Sequence, residues 1–299
     1  MQDGSKRLKV IWRREWEYQK RELLLGITVE AGLLIFLFLV YLLKKSWLFA
    51  GFSYVKSLPP AMYAFAGFTE EGPSASLLTF IEIMLMCFHI WLAWSFGNRG
   101  LQSIWREEED NNIFLICNQW CSRYQLSVYK ASWAAVSMLA TYFLLCLLSG
   151  FLLLLGSMRQ DVLFESESVM WMFGWMLRSG FSLLLLLAVC ISYGLCCQYK
   201  ERTAWVDGVV FGTLVVGNLY KIRDMAFWIL EQLHIEGTPL KQIFGWMEGL
   251  YWISPLSWIN PNIEISMGKI MVQIIICIVI ASLFMLAGFL RYRTRELGW

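Results

Sequence analysis

Apolar positions in this chain do not alternate with polar ones; over most of its length they come in unbroken runs. A run of about 20 apolar residues is what a helix needs to cross a hydrocarbon layer of about 30 Å at about 1.5 Å rise per residue. Runs at 23–43, 77–97, 131–157 and 171–197 therefore predict four membrane-spanning helices. A fifth stretch, 205–220, is shorter and contains Gly208, Gly212 and Gly217. A sixth, 270–290, holds Gln273 as its one amide and ends at Arg291. Strands of a membrane barrel would instead alternate polar and apolar residues in pieces of about ten. The predicted fold is an all-α polytopic membrane protein, with six transmembrane helices in a single transmembrane domain over residues 1–299. Composition points the same way: 58% of the chain is apolar and 16% charged, against about 45–50% and about 25% in soluble proteins.

The positions of Lys and Arg near the span ends predict orientation. Lys6, Arg7, Lys9, Arg13, Arg14, Lys20 and Arg21 precede the first span, and Arg99, Arg106, Arg123 and Lys130 lie between the second and third. Lys200 and Arg202 follow the fourth, and Arg291, Arg293 and Arg295 follow the sixth. The opposite loops, longer in total, have only Lys44, Lys45, Lys56, Arg159, Lys221, Arg223, Lys241 and Lys269. A multi-pass protein of the cell (plasma) membrane with both termini cytoplasmic is expected. The first span is not followed by a small-residue cleavage site and is expected to stay in the protein. No cysteine falls in an outer loop, so no disulfide framework is expected. A net charge of +2 without long basic clusters predicts no nucleic-acid partner.

Three segments between spans have patterns of their own. In 8–21, Leu8, Ile11, Trp12 and Trp16 recur at spacings of three and four with basic residues on the other faces, which predicts an interfacial helix along the inner leaflet. The alternative is a topogenic leader without a structural role. In the cytoplasmic loop 98–130, the acids Glu107, Glu108, Glu109 and Asp110 lead into Ile113, Phe114, Leu115 and Ile116. Acids followed by a short apolar run suit a helix that docks a cytoplasmic partner; four acids alone would be a solvated charge run. The outer loop 221–269 is too long for a simple connection. Phe227, Leu230 and Leu233, and after Pro239 a second stretch from Ile243 to Trp252, predict two re-entrant helices, with interfacial aromatic anchors as the alternative.

Charged residues inside spans are costly and mark functional candidates. Glu82 and His89 are two turns apart on span two and suit a proton path. Arg178 in span four lies at a depth matching Glu82, and an interhelical ion pair would neutralise both. Glu30 in span one has no evident partner and is expected to face a cavity between protomers. Enzyme chemistry finds no support: there is no Gly-rich loop ending in Gly-Lys-Ser/Thr, no His-Glu-x-x-His and no Gly-x-Ser-x-Gly. Cys117 and Cys121, four apart, lack further ligands for a metal, and the vicinal Cys196 and Cys197 suit no disulfide. No catalytic residue, metal or cofactor is expected on this chain.

The order of these parts resembles the six-span ABC-two permeases, the membrane subunits of type V ABC exporters, over nearly the whole chain. Glu107 to Asp110, the run from Ile113 to Cys117, and Ser122-Arg123 are similar to the acidic stretch, coupling helix and Ser-Arg turn between their second and third spans. Ser254-Pro255-Leu256-Ser257-Trp258 with Asn260-Pro261 resembles their motif before the last span, and Phe289 to Arg293 with Arg295-Glu296-Leu297 their basic tail. Asn111-Asn112 stand where Gly-Thr is usual, and Trp120 where proline is common. The resemblance implies a homodimer with two copies of a separate ABC ATPase subunit, which would bind ATP and magnesium. It also implies an N-terminal connecting helix and outer re-entrant helices. It allows export of peptides, drugs or lipid-linked glycans; aromatic and Met-rich spans favour a hydrophobic or amphipathic peptide. A proton-coupled secondary transporter using Glu82 and His89 is the alternative from a different class, and a membrane scaffold or sensor a third.

Overall fold

A computed structural model describes residues 2–43, 77–109, 121–160, 166–196, 206–209, 212 and 266–294. Among these residues the regular elements are all helices: α1 Gln2–Leu43, α2 Leu77–Glu109, α3 Arg123–Gln160, α4 Ser166–Cys196 and α5 Met267–Thr294. Gly4–Leu43, Arg123–Gly156, Phe173–Cys196 and Met267–Thr294 are each long and apolar enough to cross a membrane. A helix is the natural state of such segments, because a hydrocarbon layer offers no water to satisfy backbone N–H and C=O groups. The protein thus has the character of a multi-pass membrane protein.

Burial orders the bundle. α4 sits at its centre, with Leu183, Cys190, Leu195, Ser179 and Ser182 fully enclosed, and it packs most extensively on α5 and α2. α1 lies on the far side, against α3 and α2. α1 and α5 turn large apolar side chains outward: Leu25, Val29 and Phe36 on one, Ile275, Leu283 and Leu290 on the other. Exposed apolar stripes of this length are suited to lipid rather than water.

Small residues set the closest approaches, as in other membrane bundles. A Cβ on Gly288 of α5 would stand 2.9 Å from the Ser192 backbone Cα of α4, and one on Gly194 would stand 2.7 Å from the Leu101 side chain of α2. The Ser192 hydroxyl donates to the Phe284 carbonyl at 2.6 Å. At the other end of the same helix pair, the space beside Gly174 of α4 is taken by Ile270 and Met267 of α5. α4 and α5 are therefore parallel.

Two boundaries differ from the sequence-based expectation. Residues 8–21 and 23–43 are one uninterrupted helix, so 8–21 is not a separate element. The stretch contains no proline, and no glycine precedes Gly26 after Gly4, so nothing breaks the backbone ladder where the apolar run begins. The expected loop 98–130 is also mostly helical: α2 continues to Glu109 and α3 starts at Arg123. Both helices continue past their apolar stretches. The expected fifth span, apart from helical residues 206–209 and Gly212, the re-entrant helices of 221–269, apart from 266–269, and the Ser254 to Pro261 motif lie outside the described residues.

Candidate functional site

The ends of the bundle meet at one pole. There the start of α1 contacts the start of α3 and the end of α2, Trp105 of α2 donates to the Gly194 carbonyl of α4 at 3.2 Å, and Tyr124 of α3 stacks edge-on against Phe289 of α5 at 5.7 Å. This pole collects Arg13, Arg14, Arg106, Arg123, Lys130, Arg291 and Arg293.

Glu15, Gln19 and Leu23 are four residues apart on α1, hence on one face, and all three are buried. Glu15 Oε1 pairs with Lys130 Nζ at 2.9 Å, with both side chains almost wholly enclosed. Gln19 Nε2 donates to Glu15 Oε2 at 3.1 Å, and Trp133 Nε1 donates to Gln19 Oε1 at 3.3 Å. Both carboxylate oxygens are thereby satisfied, as a buried charge requires. Trp12 Nε1 donates to the Tyr129 carbonyl and to Ser132 Oγ, each at 3.2 Å. The rings of Trp12 and Trp16 meet Trp133 edge-on at 5.8 and 6.3 Å. Tyr18, beside this face, has the guanidinium groups of Arg14 and of Arg106 from α2 at 5.6 and 5.1 Å from its ring centroid.

This geometry revises the role expected of the N-terminal residues. Ile11 packs against the protein core, Trp12 is hydrogen-bonded to α3, Leu8 is half-buried, and only Trp16 is largely exposed. Of the face expected to meet lipid, Trp12 and Trp16 contact Trp133 of α3.

The start of α3 is fixed by Ser122. Its hydroxyl accepts from the Gln125 backbone N–H at 3.2 Å while Gln125 Oε1 accepts from the Ser122 backbone N–H at 3.2 Å, a reciprocal capping box. Next to it Cys121 is buried; burial pushes its thiol above the ordinary value, partly opposed by the positive charge of Arg7. Of the expected docking residues, Glu107, Glu108 and Glu109 form the last turn of α2, and Glu108 is half-buried. Asp110, Ile113, Phe114, Leu115 and Ile116 lie outside the described residues.

Within the apolar part of the bundle, His89 of α2 is 1% exposed and lies 3.0 Å from the Tyr142 hydroxyl of α3. That hydroxyl donates its one proton to the Met176 carbonyl of α4 at 2.8 Å, so His89 Nε2 is the donor to Tyr142 oxygen. Trp175 flanks the imidazole at 5.5 Å. His89 thus links three helices. Arg178 is buried on α4 near this level; Glu82 lies on α2, and its side chain and the proposed pair with Arg178 fall outside the described residues. Glu30 is buried on α1 and faces α2, where Arg99 is its electrostatic neighbour.

The sequence pattern did not single out Glu15, Gln19, Lys130, Tyr142 or Arg99. The i, i+4 spacing of Glu15 and Gln19 was the one signal available; their partners lie more than a hundred residues away. Compared with known protein families, characterised proteins and solved structures, the chain matches none.

Proposed function

We propose that this chain is the membrane permease subunit of an ATP-driven ABC exporter, working as a homodimer with two separate ATPase subunits that dock on the cytoplasmic connection between α2 and α3. The observation that carries this reading is the construction of the basic pole. α2 and α3 leave the apolar layer as unbroken helices and approach each other across a short connection, and α1 is clamped to both. Force applied to the adjoining ends of α2 and α3 would be carried along unbroken helices. ATP and magnesium belong to the partner ATPase, and this chain carries out no chemistry of its own.

Six spans in the plasma membrane, with both termini cytoplasmic, complete the proposal. The parallel packing of α4 and α5 supports the count: the chain leaves α4 at the basic pole and enters α5 at the opposite one, so it has to cross the layer in between, where the 205–220 stretch is available. The basic residues at the pole support its cytoplasmic placement. The largely apolar, aromatic bundle suits a hydrophobic or amphipathic substrate, with a peptide favoured over a drug or a lipid-linked glycan. A proton-coupled carrier through His89 fits less well, because its Nε2 proton is already engaged in the Tyr142–Met176 chain.

The test is copurification with candidate ATPases encoded beside this chain, followed by ATP hydrolysis in lipid nanodiscs. Replacing Ile113, Phe114 and Leu115 together by Ser is expected to abolish copurification while the permease stays monodisperse. Undiminished copurification would remove the docking assignment.

A further inference from the structure

Between the middle of α1 and the second half of α2 lies an open pocket of about 760 Å³ onto which several buried polar atoms without partners face. Glu30 is 3% exposed, and neither of its carboxylate oxygens has a hydrogen-bond partner. Across from it, Asn98 Oδ1 and Arg99 Nη1 are likewise buried and unpartnered. Their orientation is not accidental. Asn98 Nδ2 donates back to the Trp94 carbonyl at 3.1 Å, which leaves Oδ1 free to accept, and the Arg99 guanidinium rests on the Phe96 ring at 5.2 Å from its centroid. Arg99 is attracted by Glu22, which also lines the pocket, and more weakly by Glu30, yet its Nη1 makes no hydrogen bond to either. Buried polar groups are almost always satisfied, and three such groups facing one pocket from two helices call for a ligand that matches them.

The required ligand has donors for Glu30 and Asn98 beside an acceptor for Arg99. We propose that this pocket binds an amphipathic molecule whose headgroup sets a primary ammonium next to an anionic oxygen, with its apolar body against Phe88 and Trp91. A primary ammonium has three N–H donors, whereas a quaternary one has none. An anion alone would leave Glu30 unmatched, and a cation alone would leave Arg99 so. Leu25, Val29 and Leu33 of α1 line the pocket and are also among the outward-turned apolar residues, so a tail leaves directly into the hydrocarbon layer. Two sources have this chemistry: phosphatidylethanolamine of the bilayer, and a transported amphiphile with the same head. The site stands whether or not an ATPase docks at 110–120.

Native mass spectrometry of the detergent-purified full chain tests this with dilauroyl phosphatidylethanolamine, phosphatidylcholine and phosphatidylglycerol at equal concentration. The ethanolamine lipid is expected to bind about tenfold more tightly than either other, a difference of about 1.4 kcal/mol. Glu30→Gln and Arg99→Gln should each bring the preference below about threefold, while Phe143→Leu on the exposed face of α3 keeps it. Equal binding of the three lipids by the unaltered chain overturns the proposal, and that comparison needs no variant to fold. A preference that survives both substitutions also overturns it. Extraction then separates the sources: ethanolamine lipid retained through purification and lost in Glu30→Gln assigns a resident bilayer lipid. Selective binding of added lipid to a chain purified free of it assigns the pocket to a transported amphiphile.

Discussion

Lys130→Met offers the sharpest test of how α1 is held. The pair formed by Lys130 and Glu15 is 2.9 Å long and almost entirely removed from solvent. At an effective dielectric constant of about 20, two unit charges at that separation attract by about 6 kcal/mol. Desolvation of each ion costs several kcal/mol, so the pair as a whole contributes little net stability. Removing one partner is different, because it takes the opposite charge away from a group that stays buried, at a cost of about 3–5 kcal/mol. Thermal denaturation of the purified protein should therefore show Lys130→Met and Glu15→Gln each melting well below the parent, by roughly 6–20 °C for a domain of this size. The double variant Glu15→Leu with Lys130→Met removes both charges and should melt above either single variant, since buried pairs are often replaceable by apolar residues of similar volume, but about 1–3 kcal/mol below the parent because buried Gln19 Nε2 loses its acceptor. A loss under about 1 kcal/mol in either single variant, or a double variant no better than the singles, would refute the argument that the N-terminal half of α1 is docked by this pair.

Gly288→Ala is expected to destabilise the α4–α5 contact by about 1–3 kcal/mol, the usual cost of overpacking. The new methyl would stand 2.7 Å from Ser192 Oγ and 2.9 Å from its Cα; Ser192→Ala should therefore fail to rescue it in a melting experiment, since the backbone atom remains. Cys121, in a chain keeping it as the sole cysteine, should react with maleimide more slowly at neutral pH than Cys196 kept alone. Cys121 is buried with a raised thiol pKa, so less of it is thiolate, and its rate should rise more steeply with pH, whereas Cys196 is exposed. Equal rates at pH 7 would contradict that placement.

Apolar run length was enough to locate the membrane-embedded parts of α1, α3, α4 and α5, because length and hydropathy alone decide whether a helix can cross a hydrocarbon layer. It could not reveal where those helices stop. Residues 8–21 have the amphipathic pattern of a surface helix, but lipid headgroups and the aromatic start of α3 satisfy the same apolar face equally well. Only the absence of a breaker before Gly26 hinted at continuity. In the same way, 98–109 and 123–130 read as loop because they are polar, although no proline interrupts either and Ser122 with Gln125 forms a recognisable start signal. Charges were harder. Glu30 stood out as an intramembrane acid, yet Arg99 was counted as a topogenic residue, since nothing in a linear pattern brings two residues on different helices to one pocket. Glu15 and Lys130 were hidden in the same way, each among other charges of ordinary appearance.

α1 has 42 residues and is about 63 Å long, roughly twice the thickness of the layer its second half crosses. A rod of that length has two arms of comparable size about a pivot at the membrane surface. Displacing its outer tip by about 3 Å over an arm of about 30 Å would tilt it by about 6° and carry the inner tip a similar distance the other way. Because Glu15, Trp12 and Trp133 tie the outer arm to α3, the two helices would swing together, and the gap between α1 and α2 would widen or narrow with them. Small motions at the basic pole would thus reach the pocket, which begins at the pivot with Glu22 and extends inward to Leu33, at an amplitude smaller than that of the inner tip.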